Sequence, residues 1–284
     1  MNWRFKNAAF HALQYVPMGS LAYETSQRLV TRRLLPKISP SKIATYRIPL
    51  DVFLQIPGAT TAMEFGAGRS LVTPLLFHTA QAEKVIAFDL QRLAHLASIN
   101  AAIAALSKVF DGEWPAVASF ADLAEKYRID YRAPGDARAT GLPNQSLDLI
   151  YSTATLEHIP PAEIIAILGE ARRILKPGGR LCFTIDYHDH FASSDKAIGY
   201  FNFYQYSTAE WKRYNTPLHF QNRLRHSDYT RIFEDAGWTI HRGERLYDSW
   251  SDSDLKRVKL HAEFAEYAPE DLRASNGIFV LGRD

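Results

Sequence analysis

The sequence is nearly free of cysteine: Cys182 is the only one in 284 residues. A single cysteine excludes an internal disulfide framework and fits a reducing compartment, so the chain is expected to be cytoplasmic. Cys182 lies in an apolar segment and reads as a small core residue rather than a nucleophile. Long apolar runs are missing as well. Nothing approaches the roughly 18 to 20 residues that a membrane-spanning helix needs. The opening MNWRFKNAAF has neither the apolar core nor the cleavage site of a secretory leader. Neither sign of charge dominates. The net +2 is too small to draw the chain to nucleic acid. Repeats and low-complexity segments are absent.

What is present suits a globular enzyme-sized chain: 46% hydrophobic and 23% charged residues, enough for one large core with an appendage. The charge is unevenly spread. Residues 1–50 hold Arg4, Lys6, Arg28, Arg32, Arg33, Lys37, Lys42 and Arg47 against Glu24, a net +7, which leaves −5 on the remainder. Such a segment suits peripheral contact with an anionic surface or an anionic substrate, and equally a solvated helical face. It reads as short helices broken near Pro17 and Pro36, a helical N-terminal cap over 1–50 ahead of a main domain over 51–284.

From residue 60 short apolar runs alternate with helical stretches. Strands are expected at 60–65, 84–88, 147–152 and 180–186, with helices at 70–79, 93–106 and 161–175. That alternation implies α/β architecture, a parallel sheet with helices on both faces. A helix at 227–236 and strands at 239–246 and 277–282 follow. Between the last strand–helix unit and these elements lies an irregular insert, about 187–223, crowded with Tyr200, Phe201, Phe203, Tyr204, Tyr206, Trp211, Tyr214 and Phe220. Long irregular stretches are commonly lids or binding segments.

The first strand runs into Glu64-Phe65-Gly66-Ala67-Gly68-Arg69-Ser70. Glycines at a strand-to-helix turn admit a ligand close to the backbone. A dinucleotide fingerprint would need glycine at position 71, which is Leu71; an NAD(P)-dependent oxidoreductase is thereby weakened. Glu64 would repel a pyrophosphate but can hold an ammonium group. Asp89, which ends the second strand with Leu90 after it, can accept both hydroxyls of a ribose. Together they suit an adenosine with an amino-acid tail.

At this point the chain resembles the class I S-adenosylmethionine-dependent methyltransferases, most closely over 55–190. The Glu64–Ser70 loop looks like their glycine motif and Asp89 like their ribose-binding acid. Gly135-Asp136-Ala137 looks like their adenine-binding dipeptide. Leu142 to Ile150, Leu156-Glu157-His158-Ile159 and Leu175 to Leu181 resemble the fourth strand, the signature after it, and the turn before the fifth. The stretch from Asn222 to Tyr229 resembles bacterial methyltransferases of polysaccharide pathways. The resemblance implies a doubly wound, mostly parallel, seven-stranded Rossmann-like sheet. It also implies S-adenosylmethionine as cofactor, held by Glu64, Gly66, Ala67, Gly68, Asp89, Leu90, Asp136, Ala137 and Thr153.

Methyl transfer from a sulfonium needs alignment and dryness; a hydroxyl acceptor needs a base as well. The candidates are His158 after the fourth strand, and Asp186 and His188 in the run Asp186-Tyr187-His188-Asp189-His190. That run could also hold a cation. In the ubiquinone-pathway enzymes an acidic residue precedes the Glu-His pair by three positions; here it is Ala154, so no metal is assigned. The expected activity is O-methylation of a sugar, glycan or other small metabolite. Carbon or nitrogen methylation and a non-catalytic scaffold stay open.

Overall fold

The computed structural model describes residues 2–13, 40–217 and 219–283. The breaks expected near Pro17 and Pro36, and the basic residues Arg28, Arg32, Arg33 and Lys37, lie outside them. In chain order the first half has α1 (Trp3–Leu13), α2 (Pro40–Leu54), β1 (Thr61–Phe65), α3 (Val72–Leu76), β2 (Lys84–Phe88), α4 (Leu96–Leu106), α5 (Phe120–Tyr127), β3 (Ile129–Arg132) and β4 (Leu147–Thr153). The second half has α6 (Pro161–Ile174), β5 (Leu175–Asp186), α7 (Thr208–Trp211), α8 (His226–Asp235), β6 (Thr239–Leu246), α9 (Ser251–Arg257), α10 (Pro269–Arg273) and β7 (Asn276–Gly282).

One seven-stranded sheet has the order β3-β2-β1-β4-β5-β7-β6. The first five strands are parallel, and β7 runs antiparallel to both β5 and β6. The apolar runs predicted as central strands are buried on both faces, as parallel strands must be. Alternate residues divide between two cores. Ala62, Val85, Ala87, Leu149 and Tyr151 meet α2 to α5 through Leu50, Phe53, Leu75, Ile99 and Leu123. Met63, Phe65, Ile86, Ile150 and Phe183 meet α6 and α8 through Ile164, Leu168, Tyr229 and Phe233. Strand order reverses between β1 and β4, which opens a crevice at the carboxyl ends of those strands.

Three features differ from the sequence reading. The first is β3 with the helix before it, which no periodicity announced. β3 has four residues, two of them charged, and forms the sheet edge, where Asp130 pairs with Arg132 and Lys84. An edge strand carries charge to block further pairing, which erases its apolar signal. The second is β5, which starts at Leu175 rather than at 180. Its pairing with β4 shifts between Leu147 and Leu149, and Gly178 at φ +77° takes up the irregularity. The third is the helix expected over 70–79, of which α3 covers Val72–Leu76; α2, which spans residue 50, brings Leu50 and Phe53 into the sheet core.

The aromatic insert forms a third core. Phe191, Phe201, Phe203, Tyr204 and Trp211 are buried together with Trp3 and Phe10 of α1 and with Phe264 and Leu272. The α1 helix is tied to the insert: the Trp3 backbone N–H donates to Asp195 and the Asn7 amide to the Tyr214 carbonyl. Arg225, 1% exposed, links insert to sheet. It donates to the Tyr187 carbonyl and the Tyr204 hydroxyl, with its guanidinium 5.1–5.2 Å from the rings of Tyr187, Phe203 and Tyr204. Cys182 is fully buried, and burial pushes its thiol up to about 12, which removes it as a nucleophile. Among the described residues no helix is long and apolar enough to cross a membrane.

Candidate functional site

The crevice holds a pocket lined by Gly66, Asp89, Leu90, Asp136, Ala137 and His158 among the expected residues. Its apolar walls are Phe88, Ile159 and Ile167. Gly66 has φ +71°, and a Cβ there would overlap the Thr155 side chain. Gly135 is similarly constrained, since a Cβ would lie 2.8 Å from the Arg132 carbonyl oxygen. Both glycines therefore allow neighbouring protein segments to pack against the backbone without a Cβ.

Asp89 closes β2 under the glycine loop. Its carboxylate accepts the Gly68 N–H at 3.0 Å and the Gln91 N–H at 3.3 Å. Burial raises its pKa, and these backbone donors oppose the rise. Asp136 is gripped by Arg138 through Nε and Nη2 at 3.0 and 2.7 Å, which holds its carboxyl below the usual range. Arg138 also reaches Glu163 at 3.2 Å and lines the pocket; it had no sequence signal beyond its place after Ala137.

Glu64, Ala67, Gly68 and Thr153 are not among the lining residues. Glu64 is 3% exposed behind the loop, and its Oε2 has no hydrogen-bond partner. Burial, and then Asp89, pushes its carboxyl well above the usual range. Thr155 lines the pocket and Thr153 does not; Ala154 between them adopts φ +50° and turns the chain after β4. No local pattern marks a left-handed alanine, so this turn was not legible.

His158 stands at the junction of this pocket with a second groove of about 1050 Å³, far larger than the first at about 180 Å³. The groove is walled by Trp211, Phe220, Arg223, Phe264 and Tyr267, with Lys212 and Glu263 at its rim. The insert and the segment after it thus supply a second chamber beside the first. The His158 Nδ1 lies 2.8 Å from the Phe220 carbonyl oxygen, so Nδ1 carries the proton and Nε2 keeps a lone pair. The ring is solvent-exposed at the groove, yet desolvation by the surrounding protein, and then His190, lowers its pKa.

The loop bearing His158 is pinned by Asn222, a residue first noticed only as part of a resemblance. Its backbone N–H donates to the Glu157 carbonyl, and its side-chain amide donates to the Leu156 and Ile159 carbonyls. Beside the loop, Asp186 ends β5. His188 donates to its Oδ1, backbone N–H at 2.7 Å and Nδ1 at 2.9 Å, while His190 Nε2 lies 3.4 Å from Oδ2. Burial works against ionisation, yet those histidines hold the Asp186 carboxyl well below the usual range. His190 sits against His158, ring centroids 4.8 Å apart. His188 is on the far side of Asp186, packed on Tyr200 and Trp250. His190 thus lies between His158 and Asp186, and His188 contacts Asp186 from the other side. Asp186 also lines a small cavity with Ala154 and with Thr45 and Ile48 of α2.

The fold and site can be set beside known proteins. The family model described as a methyltransferase domain matches residues 23–242. Among solved structures, the PH0226 protein of Pyrococcus horikoshii OT3 aligns with TM-score 0.53 at 12% identity, over 92% of this chain and 99% of that one. A SAM-dependent methyltransferase of Aquifex aeolicus aligns over 86% and 99% at 16% identity and TM-score 0.42. Geranyl diphosphate C-methyltransferase of Streptomyces coelicolor A3(2) aligns over 86% and 81% at 14% identity and TM-score 0.49. At 12% identity the likeness to the Pyrococcus horikoshii protein is one of fold. A search of the curated proteins found no match.

Proposed function

The chain belongs to the methyltransferase-domain family, with S-adenosylmethionine as cofactor, and from that premise we propose that it methylates a hydroxyl oxygen on a sugar, glycan or other small metabolite. The cofactor supplies a methyl group already activated on a sulfonium. The chain's own residues then have three tasks: to hold the donor, to seat the acceptor, and to take the acceptor's proton.

Asp89 suits the ribose hydroxyls, and Asp136, steadied by Arg138, suits an exocyclic amine between Phe88, Ala137 and Ile159. Gly66, which packs directly on Thr155, presents its backbone to the tail at the pocket wall. The orphaned, buried carboxylate of Glu64 behind the loop suits a cationic group. The larger groove seats the acceptor, where the faces of Trp211 and Phe220 suit sugar rings and Lys212 suits an anionic substituent.

The observation that carries the oxygen acceptor is His158. Its Nδ1 proton is committed to Phe220, and its Nε2 lone pair is kept at the junction of the two chambers. Its lowered pKa keeps it neutral at physiological pH. Asp186, beside it through His190, favours a proton arriving on this cluster.

The test is a screen of glycan and phenolic acceptors with labelled S-adenosylmethionine, run on the wild type and His158→Gln. Loss of about 100-fold or more in turnover, with S-adenosylhomocysteine affinity kept, is expected. Turnover that survives the substitution would point to carbon or nitrogen as the acceptor atom. Cofactor binding with no transfer to any acceptor would favour a scaffold.

A further inference from the structure

Glu157 is the most poorly satisfied carboxylate beside the site. It is 2% exposed, and neither carboxylate oxygen has a hydrogen-bond partner. A buried carboxyl group without donors is costly, so something is expected to face it. Around it, His158 and His190 each present a ring nitrogen. The three ligand atoms, one per residue, all lie within 4.8 Å of one another. Ligands bound about 2.0–2.2 Å from a cation sit roughly 3–3.5 Å apart, so a small closing rotation completes the set.

We propose that Glu157, His158 and His190 form a binding site for one divalent transition-metal cation where the cofactor pocket meets the acceptor groove. The arrangement around the three residues is that of a prepared site. His158 gives its Nδ1 proton to the Phe220 carbonyl, the outer contact that frees Nε2 as a ligand and fixes the ring. Asn222 holds the Glu157 loop from three directions. Nε2 of His190 is buried and faces the carboxylate of Asp186 at 3.4 Å; a cation would displace the proton between them, and that carboxylate would offset its charge. His188 holds that carboxylate from the other side.

Two imidazoles and one carboxylate favour zinc, cobalt, manganese or iron over magnesium or calcium, which prefer all-oxygen shells. Three protein ligands leave positions open on the groove side of His158, where an acceptor oxygen can bind; a bound cation takes up the Nε2 lone pair, so His158 acts as the base only in the metal-free form. Acceptor binding to the cation rests on the acceptor reading above; the cation site does not.

The experiment uses the full chain, stripped with a chelator and titrated calorimetrically with Zn²⁺. Co²⁺ absorption reports the ligand field, and a parallel titration with S-adenosylhomocysteine reports the fold. One Zn²⁺ per chain is expected. Glu157→Gln and His190→Gln should each weaken it at least tenfold, and His241→Gln, beside Arg180 at the opposite end of the sheet, should leave it unchanged. If Glu157→Gln no longer binds S-adenosylhomocysteine, His190→Gln decides. A wild type that binds S-adenosylhomocysteine but takes up no Zn²⁺ overturns the site and leaves the methyltransferase reading standing. Uptake that survives both substitutions also overturns it. Zn²⁺ uptake lost in both variants, by a chain that never binds S-adenosylhomocysteine, would keep the site and remove the cofactor assignments.

Discussion

His226 gives the sharpest stability prediction. It opens α8, is 2% exposed, stacks on Phe279 with ring centroids 4.2 Å apart, and meets the Tyr187 hydroxyl through Nδ1 at 3.1 Å. Burial, and then Arg245, lowers its pKa to about 4. The unfolded chain takes up this proton near the ordinary value of about 6.5. Between those values the unfolded state binds more protons, so stability is complete above about 6.5 and falls as pH drops toward 4. A gap of about 2.5 units at about 1.36 kcal/mol each, less the half-protonation of the folded state at pH 4, makes the loss from pH 7 to pH 4 about 3 kcal/mol. His226→Phe keeps the stack and removes the titration. It leaves the Tyr187 hydroxyl unpaired, a fixed cost of about 1–3 kcal/mol. Urea unfolding of both proteins at pH 7, 6, 5 and 4 should show a variant weaker at pH 7 that loses about 3 kcal/mol less on acidification. Equal losses in the two proteins would refute a buried, neutral His226.

The other predictions concern the site. Asp89→Asn removes the charge that would receive ribose hydroxyls, and calorimetry should show S-adenosylhomocysteine weakened about 10- to 100-fold with the melting temperature little changed. Gly66→Ala forces a side chain into a left-handed position against Thr155, and denaturant titration should show a loss of about 2–5 kcal/mol together with lost ligand binding. With metal absent from the assay, the acidic limb of the kcat/KM profile should have its midpoint below 6.5, because the surrounding protein and His190 lower the pKa of the exposed His158 ring; a midpoint above 7 would exclude His158 as the group responsible. Asn222→Ala removes the pins on the loop between β4 and α6, and it should lower kcat far more than it raises the Kd for S-adenosylhomocysteine.

Much of this was legible before any coordinates. The central strands are apolar runs long enough to be buried on both faces, and their alternation with helices fixes a parallel sheet. The glycine loop and Asp89 belong to that local grammar: a strand end, a turn that only glycine fits, and a carboxylate at the next strand end. Gly66, Asp89, Leu90, Asp136 and Ala137 accordingly meet in one pocket. The charged edge strand β3 escaped, because protection of an edge removes the pattern by which strands are found.

What the tertiary structure alone decided depends on contacts between distant segments. Thr155 lines the pocket and Thr153 does not, and between them one left-handed residue, Ala154, turns the chain. The tautomer of His158 is set by a carbonyl 62 residues away, and the position of its loop by Asn222. Glu157 and His190 are 33 positions apart in sequence, and nothing local announces that one is buried without a partner beside the other. Periodicity reports which face of an element is apolar, and it carries no information about which polar side chains from separate elements will share a buried space. That choice is made when the strand ends and the aromatic insert pack together, and it is there that the chemistry of this chain is specified.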